Sequence, residues 1–204
     1  QNDSGSQDTA ERTRIANDIN AIYETTKTDV EAILSGLDTK VSEMFTTAAA
    51  DAKQQFEDYV EEKMDEYKDE RYSGLSGAAA WVGDVFTGLP DEVNQFFVEG
   101  RQVYIDVMDV ALTDISEYIA EKLNEAKQRI AKGKQDVTDY VAELPESLQS
   151  IGQEAAANIQ SKFDQLDETV NSKQDELIDS LAQQYSDSLA EVDARIEEMK
   201  AANR

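Results

Sequence analysis

From Ile15 onward the apolar positions recur at intervals of four and three residues: Ile15, Ile19, Ile22, Val30, Ile33, Leu37, Val41, Met44, Ala48, Ala52, Phe56 and Tyr59, with Thr26 in the one gap. Three inward positions in every eleven residues is helical spacing, and nothing alternates with the period of two that a half-buried strand needs. Tyr23, Leu34, Phe45 and Val60 adjoin these positions and widen the stripe. The pattern returns after residue 92. One column of positions eleven apart reads Val93, Tyr104, Ile115, Ala126, Val137, Leu148, Ile159, Val170, Leu181, Val192 and is apolar throughout. A second reads Phe97, Met108, Ile119, Ile130, Val141, Gly152, Phe163, Gln174, Tyr185, Ile196. A third, from Gly100 through Lys122 and Gly133 to Met199, is the weak edge. Gln174, polar in an inward column, reads as a water-bearing layer or a register device. Eleven residues in three turns is 3.67 per turn, close to a relaxed helix, so such helices run nearly straight or supercoil slightly right-handed.

Two prolines punctuate the pattern. Pro90 precedes Asp91-Glu92-Val93 and Pro145 precedes Glu146-Ser147-Leu148. Each reads as a helix start, because Pro at the first helical position loses no needed N–H and acids suit the positive end of the helix dipole. Ahead of Pro90, Gly74, Gly77, Gly83 and Gly88 mark a clear break. Around Pro145 there is no Gly and the phase continues, so the chain either turns tightly there or kinks within one long helix. The turn is the favoured alternative. The expected architecture is therefore all-α: an elongated bundle of three long helices with eleven-residue hydrophobic repeats. Its parts are a disordered tail over 1–8, a helix over 9–72, a loop and short apolar capping helix over 73–89, a helix over 91–143, a turn or kink at 144–146, and a helix over 147–201. At 1.5 Å per residue these helices are each about 80–95 Å long.

Composition narrows the function. The 204 residues carry 19 Lys plus Arg against 44 Asp plus Glu, a net charge of −25, with no His and no Cys. This charge argues against nucleic-acid binding and against a polybasic membrane anchor, both of which rely on Lys and Arg. Without His or Cys there is no Ser-His-Asp triad, Cys nucleophile, zinc finger or disulfide framework. Leu, Ile, Val and Phe together number 44 of 204, just above the fraction at which a highly charged chain stays unfolded. No uncharged apolar run is long enough for a membrane-spanning helix. Residues 1–9 lack the apolar core of a signal peptide. The chain begins at Gln1, not Met, and is expected to be a processed product or a piece of a longer protein.

Few residues stand out as candidates for chemistry. The segment 72–89 carries a single charge, Asp84, and the only Trp. Trp81, Val82, Val85, Phe86 and Leu89 can line one face of a short helix there. They read either as a cap that plugs the end of the bundle or as a membrane or partner contact, with Trp at the bilayer interface. Lys122, Lys127, Arg129, Lys132 and Lys134 form the one basic stretch. It reads as a solvated helix face, or as a contact for an acidic surface. Adjacent acids such as Glu61/Glu62, Asp69/Glu70, Asp91/Glu92 and Glu197/Glu198 are expected by chance among 44, and rod-like helices offer no concave site for a glycosidase-like pair. No calcium-loop pattern is present. The sequence points to no enzyme, no cofactor, no metal and no small-molecule substrate.

The segments Ala80-Trp-Val-Gly-Asp-Val-Phe-Thr-Gly-Leu-Pro-Asp-Glu-Val93, Asn124-Glu-Ala-Lys-Gln-Arg-Ile-Ala-Lys-Gly-Lys134, Tyr140-Val-Ala-Glu-Leu-Pro145, Asn158-Ile-Gln-Ser-Lys-Phe-Asp-Gln-Leu166 and Val192-Asp-Ala-Arg-Ile-Glu-Glu-Met-Lys200 resemble a known family. They look like helical regions of the very large proteins encoded beside bacterial extracellular contractile injection systems. Those proteins combine a metallopeptidase-like domain, long helical stretches and variable toxin ends. The likeness covers residues 74–204. It implies a non-catalytic helical region of a bacterial effector, made in the cytoplasm and exported or injected within a larger protein or particle. It also implies a protein partner or self-association. The family's metallopeptidase part needs His ligands, which this chain lacks, so no catalytic residue carries over.

Overall fold

The computed structural model describes residues 2–71 and 91–202, with side chains described over 5–70 and 91–202. Among these residues the chain is helical, without strands. Helix α1 spans Asn2–Ser35, α2 Leu37–Arg71, α3 Asp91–Ala142 and α4 Gln149–Ala202, with a 3-10 turn at Glu146–Leu148 between the last two. The capping helix expected within 73–89 lies outside the described residues.

Three element boundaries differ from, or settle, the expectation. Helix α1 begins at Asn2, not at residue 9. Residues 5–10 are exposed, and local bonds run along this stretch: Thr9 Oγ1 donates to the Gly5 carbonyl at 3.0 Å, and Arg12 lies 3.8 Å from Asp8 one turn earlier. The expected single helix over 9–72 is divided at Gly36. Glycine has the weakest helix propensity after proline. The ladder resumes at once, as Lys40 N–H donates to the Gly36 carbonyl at 3.2 Å.

At Pro145 the chain turns. Leu144 N–H donates to the Val141 carbonyl at 3.1 Å, tightening the last turn of α3, and Pro145 is extended at φ −54, ψ 148. Helix C-termini leave carbonyls without partners. Here the Gln149 side chain donates to the Leu144 carbonyl at 2.6 Å. The start of α4 then lies back on the end of α3: a Cβ at Gly152 would stand 2.6 Å from Leu144 and 3.1 Å from Val141.

The chain forms two compact units, residues 1–40 with 117–178, and residues 41–116 with 179–204. Each is a bundle of three helical segments. In the first unit, Asp18 meets Tyr140 and Asp29 meets Arg129, so α1 and α3 are antiparallel. Arg12 meets Glu154 and Asn20 meets Lys162, so α1 and α4 are parallel. In the second unit, Lys53 pairs with Glu191 and Glu57 with Arg195, so α2 and α4 are parallel. There α3 opposes both, with Tyr59 on Glu99 and Arg101 on Asp193.

The core is the apolar stripe, with its phase corrected in the first two helices. The buried positions are Ile15, Ile19, Tyr23, Thr26, Val30, Leu34, Leu37, Val41, Phe45, Ala49, Ala52, Phe56, Val60, Met64 and Tyr67. Ile22, Ile33, Met44, Ala48 and Tyr59, expected inside, are half-buried flanks. Where two neighbouring residues are both apolar, spacing cannot tell which faces in; the helices opposite decide. In α3 and α4 the first column holds: Val93, Tyr104, Ile115, Ala126, Val137, Ile159, Val170, Leu181 and Val192 are buried, and Leu148, beside the turn, is half-buried. Gln174 is exposed, so it is no inward polar layer. The neighbouring Lys173 takes the inner position, its side chain 15% exposed and its ammonium 2.6 Å from Asp38.

Candidate functional site

Trp81, Val82, Val85, Phe86 and Leu89, the expected contact residues, lie outside the described residues. A groove of about 510 Å³ lies in the first unit, where α1 and α4 run side by side. It exists because the facing residues at its centre are small, Ala16 and Ala155, leaving Ile19, Ile151 and Ile159 as a floor. Its rim is amide-rich: Asn17, Asn20 and Asn158. Two bridges cross it, Arg12 Nη1 to Glu154 at 2.9 Å and Lys162 Nζ to the Asn20 side-chain oxygen at 3.2 Å. The Lys162 ammonium also lies 5.5 Å from the Tyr23 ring centroid, and Tyr23 meets Phe163 edge-on with centroids 5.3 Å apart. Both cations are thus held by the bundle itself. The groove offers amide hydrogen bonding over an apolar floor and no nucleophile beside a base.

The basic stretch on α3 has a structural use that sequence alone does not show. Arg129 Nε donates to Asp29 on α1 at 2.7 Å, and Lys134 Nζ donates to Asp167 on α4 at 3.0 Å. Lys132 pairs with Asp136 and Lys122 with Glu125 on the same helix. In place of a uniformly solvated face, two of its five cations tie three helices together. Spacing on one helix carries no record of which acids a neighbouring helix will present, so this pairing was not legible in the sequence.

Tyrosines also make polar contacts between helices. Tyr140 donates to Asp18 at 2.5 Å and Tyr59 to Glu99 at 2.5 Å. Burial, then the bond to Asp18, pushes the Tyr140 hydroxyl up to about 12. The bond to Glu99 raises Tyr59, and burial raises Tyr104, whose hydroxyl meets Ser188 Oγ inside the second unit. All three are moved away from neutrality. They stay protonated there, whereas acid–base catalysis calls for a group that titrates near the working pH. The paired acids Glu61/Glu62, Asp69/Glu70, Asp91/Glu92 and Glu197/Glu198 are all exposed, on outward helix positions. Among the described residues no group of three or more acids is placed to hold a metal ion, and no helix is long and apolar enough to cross a membrane.

Comparison of the chain with protein-family models, with curated proteins and with solved structures gives no match.

Proposed function

We propose that this chain is a non-catalytic structural or interaction module: an elongated helical bundle built on an eleven-residue hydrophobic repeat. It serves as a spacer, packaging or translocation region of a larger bacterial effector or injection-system-associated protein. The observation that carries the reading is where the polar chemistry goes. Arg12, Lys53, Arg101, Arg129, Lys134, Lys173 and Arg195 each pair with an acid on another helix, and Tyr59 and Tyr140 do the same. Side chains that could do chemistry hold helices in place. The remaining acids lie on outward faces and keep such modules apart from one another. The partner is a protein, either a second copy or another component of the particle.

The competing function is a membrane-active module that inserts residues 72–89, favoured by the single charge in that segment. Vesicles with a neutral-to-anionic lipid mixture and an entrapped dye test the two. The structural reading expects no leakage and no blue shift of Trp81 emission from neutral to acidic pH. Leakage triggered by acidification, as carboxylates protonate, would refute it in favour of the membrane-active function.

A further inference from the structure

The groove between α1 and α4 in the first unit differs from the rest of the chain in its charge. Among the residues that line it, Arg12 and Lys162 stand against Glu154 alone, and Asp8 lies 3.8 Å from Arg12 at one end. The surface is thus close to neutral, in a chain of 19 Lys plus Arg against 44 Asp plus Glu. Two other grooves are acidic. The one further along α1 and α4, at Leu34, sets Lys173 against Glu31 and Glu176. The one between α2 and α3 in the second unit sets Lys63 against Glu66, Glu70 and Glu92.

That difference selects an occupant. An acidic partner needs free cations, but Arg12 is held by Glu154 at 2.9 Å, and Lys162 by Asn20 at 3.2 Å and by the Tyr23 ring. A basic partner finds more carboxylates at the acidic grooves. A second copy of the chain meets like charge at those grooves and does not meet it here. A two-fold contact puts the same patch on both sides, so the patch must complement itself. Asn17, Asn20 and Asn158 suit this, because a side-chain amide both donates and accepts. Asn17, Asn158 and Ala16 are exposed, and Ala155 is half-buried. The two alanines let the helices of a second copy approach closely over the isoleucine floor, which is already buried.

We propose that two copies of this chain associate through this groove about a two-fold axis, with α1 and α4 of one lying against α1 and α4 of the other. The pairing is that of a four-helix bundle. It rests on the interaction-module reading above and names the partner. The contact is small and largely polar, so association is weak and concentration-dependent.

Sedimentation equilibrium of the full chain, from micromolar to millimolar concentration, is the test. A monomer–dimer equilibrium is expected. It should tighten several-fold as salt rises from about 0.15 M to about 1 M, because the screening length falls from about 8 Å to about 3 Å and the repulsion between two acidic chains falls with it. Asn17→Glu with Asn158→Glu makes each groove repel its copy and should weaken association about tenfold or more, with the circular dichroism unchanged. Adding a chain that carries Asn17→Lys and Asn158→Lys should draw this variant into a mixed dimer, which an unfolded variant cannot form. Val110→Glu, at an exposed valine of the second unit, should leave association unchanged. The proposal is overturned if the chain stays monomeric, whether or not it binds polyglutamate, or if the dimer weakens with salt. It is overturned equally if the double glutamate variant associates as the parent does, if the lysine chain fails to recover it, or if Val110→Glu abolishes the dimer. Vesicle leakage decides the interaction-module reading separately, so a monomeric chain that leaves vesicles intact ends this proposal alone.

Discussion

Glycine-to-alanine substitution at two helix positions should have opposite signs. At Gly100, in the second unit, a Cβ would stand 2.6 Å from Val60 Cγ2 and 3.0 Å from Phe56 Cδ2. Both neighbours are buried, at 0% and 1% exposure, and valine in a helix has one preferred side-chain rotamer, so neither can step aside. Alanine gains about 1 kcal/mol over glycine in helix propensity. Overpacking a close-packed core costs about 1–3 kcal/mol. The net expectation for Gly100→Ala is destabilisation by about 1 kcal/mol. At Gly36 a Cβ would meet nothing within 4 Å, so only the propensity term acts there. Gly36→Ala should stabilise by up to about 1 kcal/mol. The two variants should then differ by about 4–8 °C in Tm for a chain of this size. Thermal melts by circular dichroism, repeated in urea, read the difference. If Gly100→Ala raises Tm as much as Gly36→Ala, α2 and α3 do not approach as closely as described.

Other substitutions probe separate parts of the account. Ile119→Asp places an unpaired carboxylate at a buried position and should cost at least about 3 kcal/mol in urea unfolding, whereas Gln174→Leu, on the surface, should stay within about 0.5 kcal/mol. Ser188→Ala leaves the buried Tyr104 hydroxyl without its partner and should cost about 1–3 kcal/mol; adding Tyr104→Phe should recover much of this, and a urea double-mutant cycle reads the coupling. The Tyr140 hydroxyl is raised from 10.0 to about 12. Between those values the folded chain holds a proton that the unfolded chain has released, so this group's stabilisation is complete below pH 10 and is lost as pH rises through about 12. A tyrosinate absorbance titration, taken as the difference from Tyr140→Phe, should show a late midpoint that Asp18→Asn moves down.

The all-α class was legible because the apolar stripe runs through most of the chain with one helical period. The inner column from Val93 to Val192 was legible for the same reason: every member except Tyr104, which lies between Val103 and Ile105, has a polar neighbour on at least one side, so phase and burial coincide. Legibility fails where neighbours are alike. Ile22 beside Tyr23, Ile33 beside Leu34 and Met44 beside Phe45 give the stripe two acceptable phases, and only the opposing helices choose between them. Gln174 and Lys173 show the same choice between a polar pair: the lysine's long stem buries beside the core while its charge reaches Asp38. At Pro145 the sequence favoured a turn over a kink without excluding either. The difference lies in Gln149 and Gly152, which cap and receive the end of α3. The pairing of the basic stretch with α1 and α4 needs tertiary structure outright, since each partner lies tens of residues away.

Hydrogen exchange of the intact chain at neutral pH, followed by mass spectrometry, tests the central claim most directly. A chain of charge −25 with barely enough aliphatic residues folds only if its stripes bury one another. The account predicts slow exchange across Ile15–Tyr67 and Val93–Ile196. It also predicts that Ile119→Asp speeds exchange in α1 and α4, the helices packed with α3 in the first unit, as well as at the altered site. Exchange throughout at unprotected rates, or an Ile119→Asp effect confined to α3, would contradict a structure whose polar and apolar side chains alike serve to hold three helical segments together.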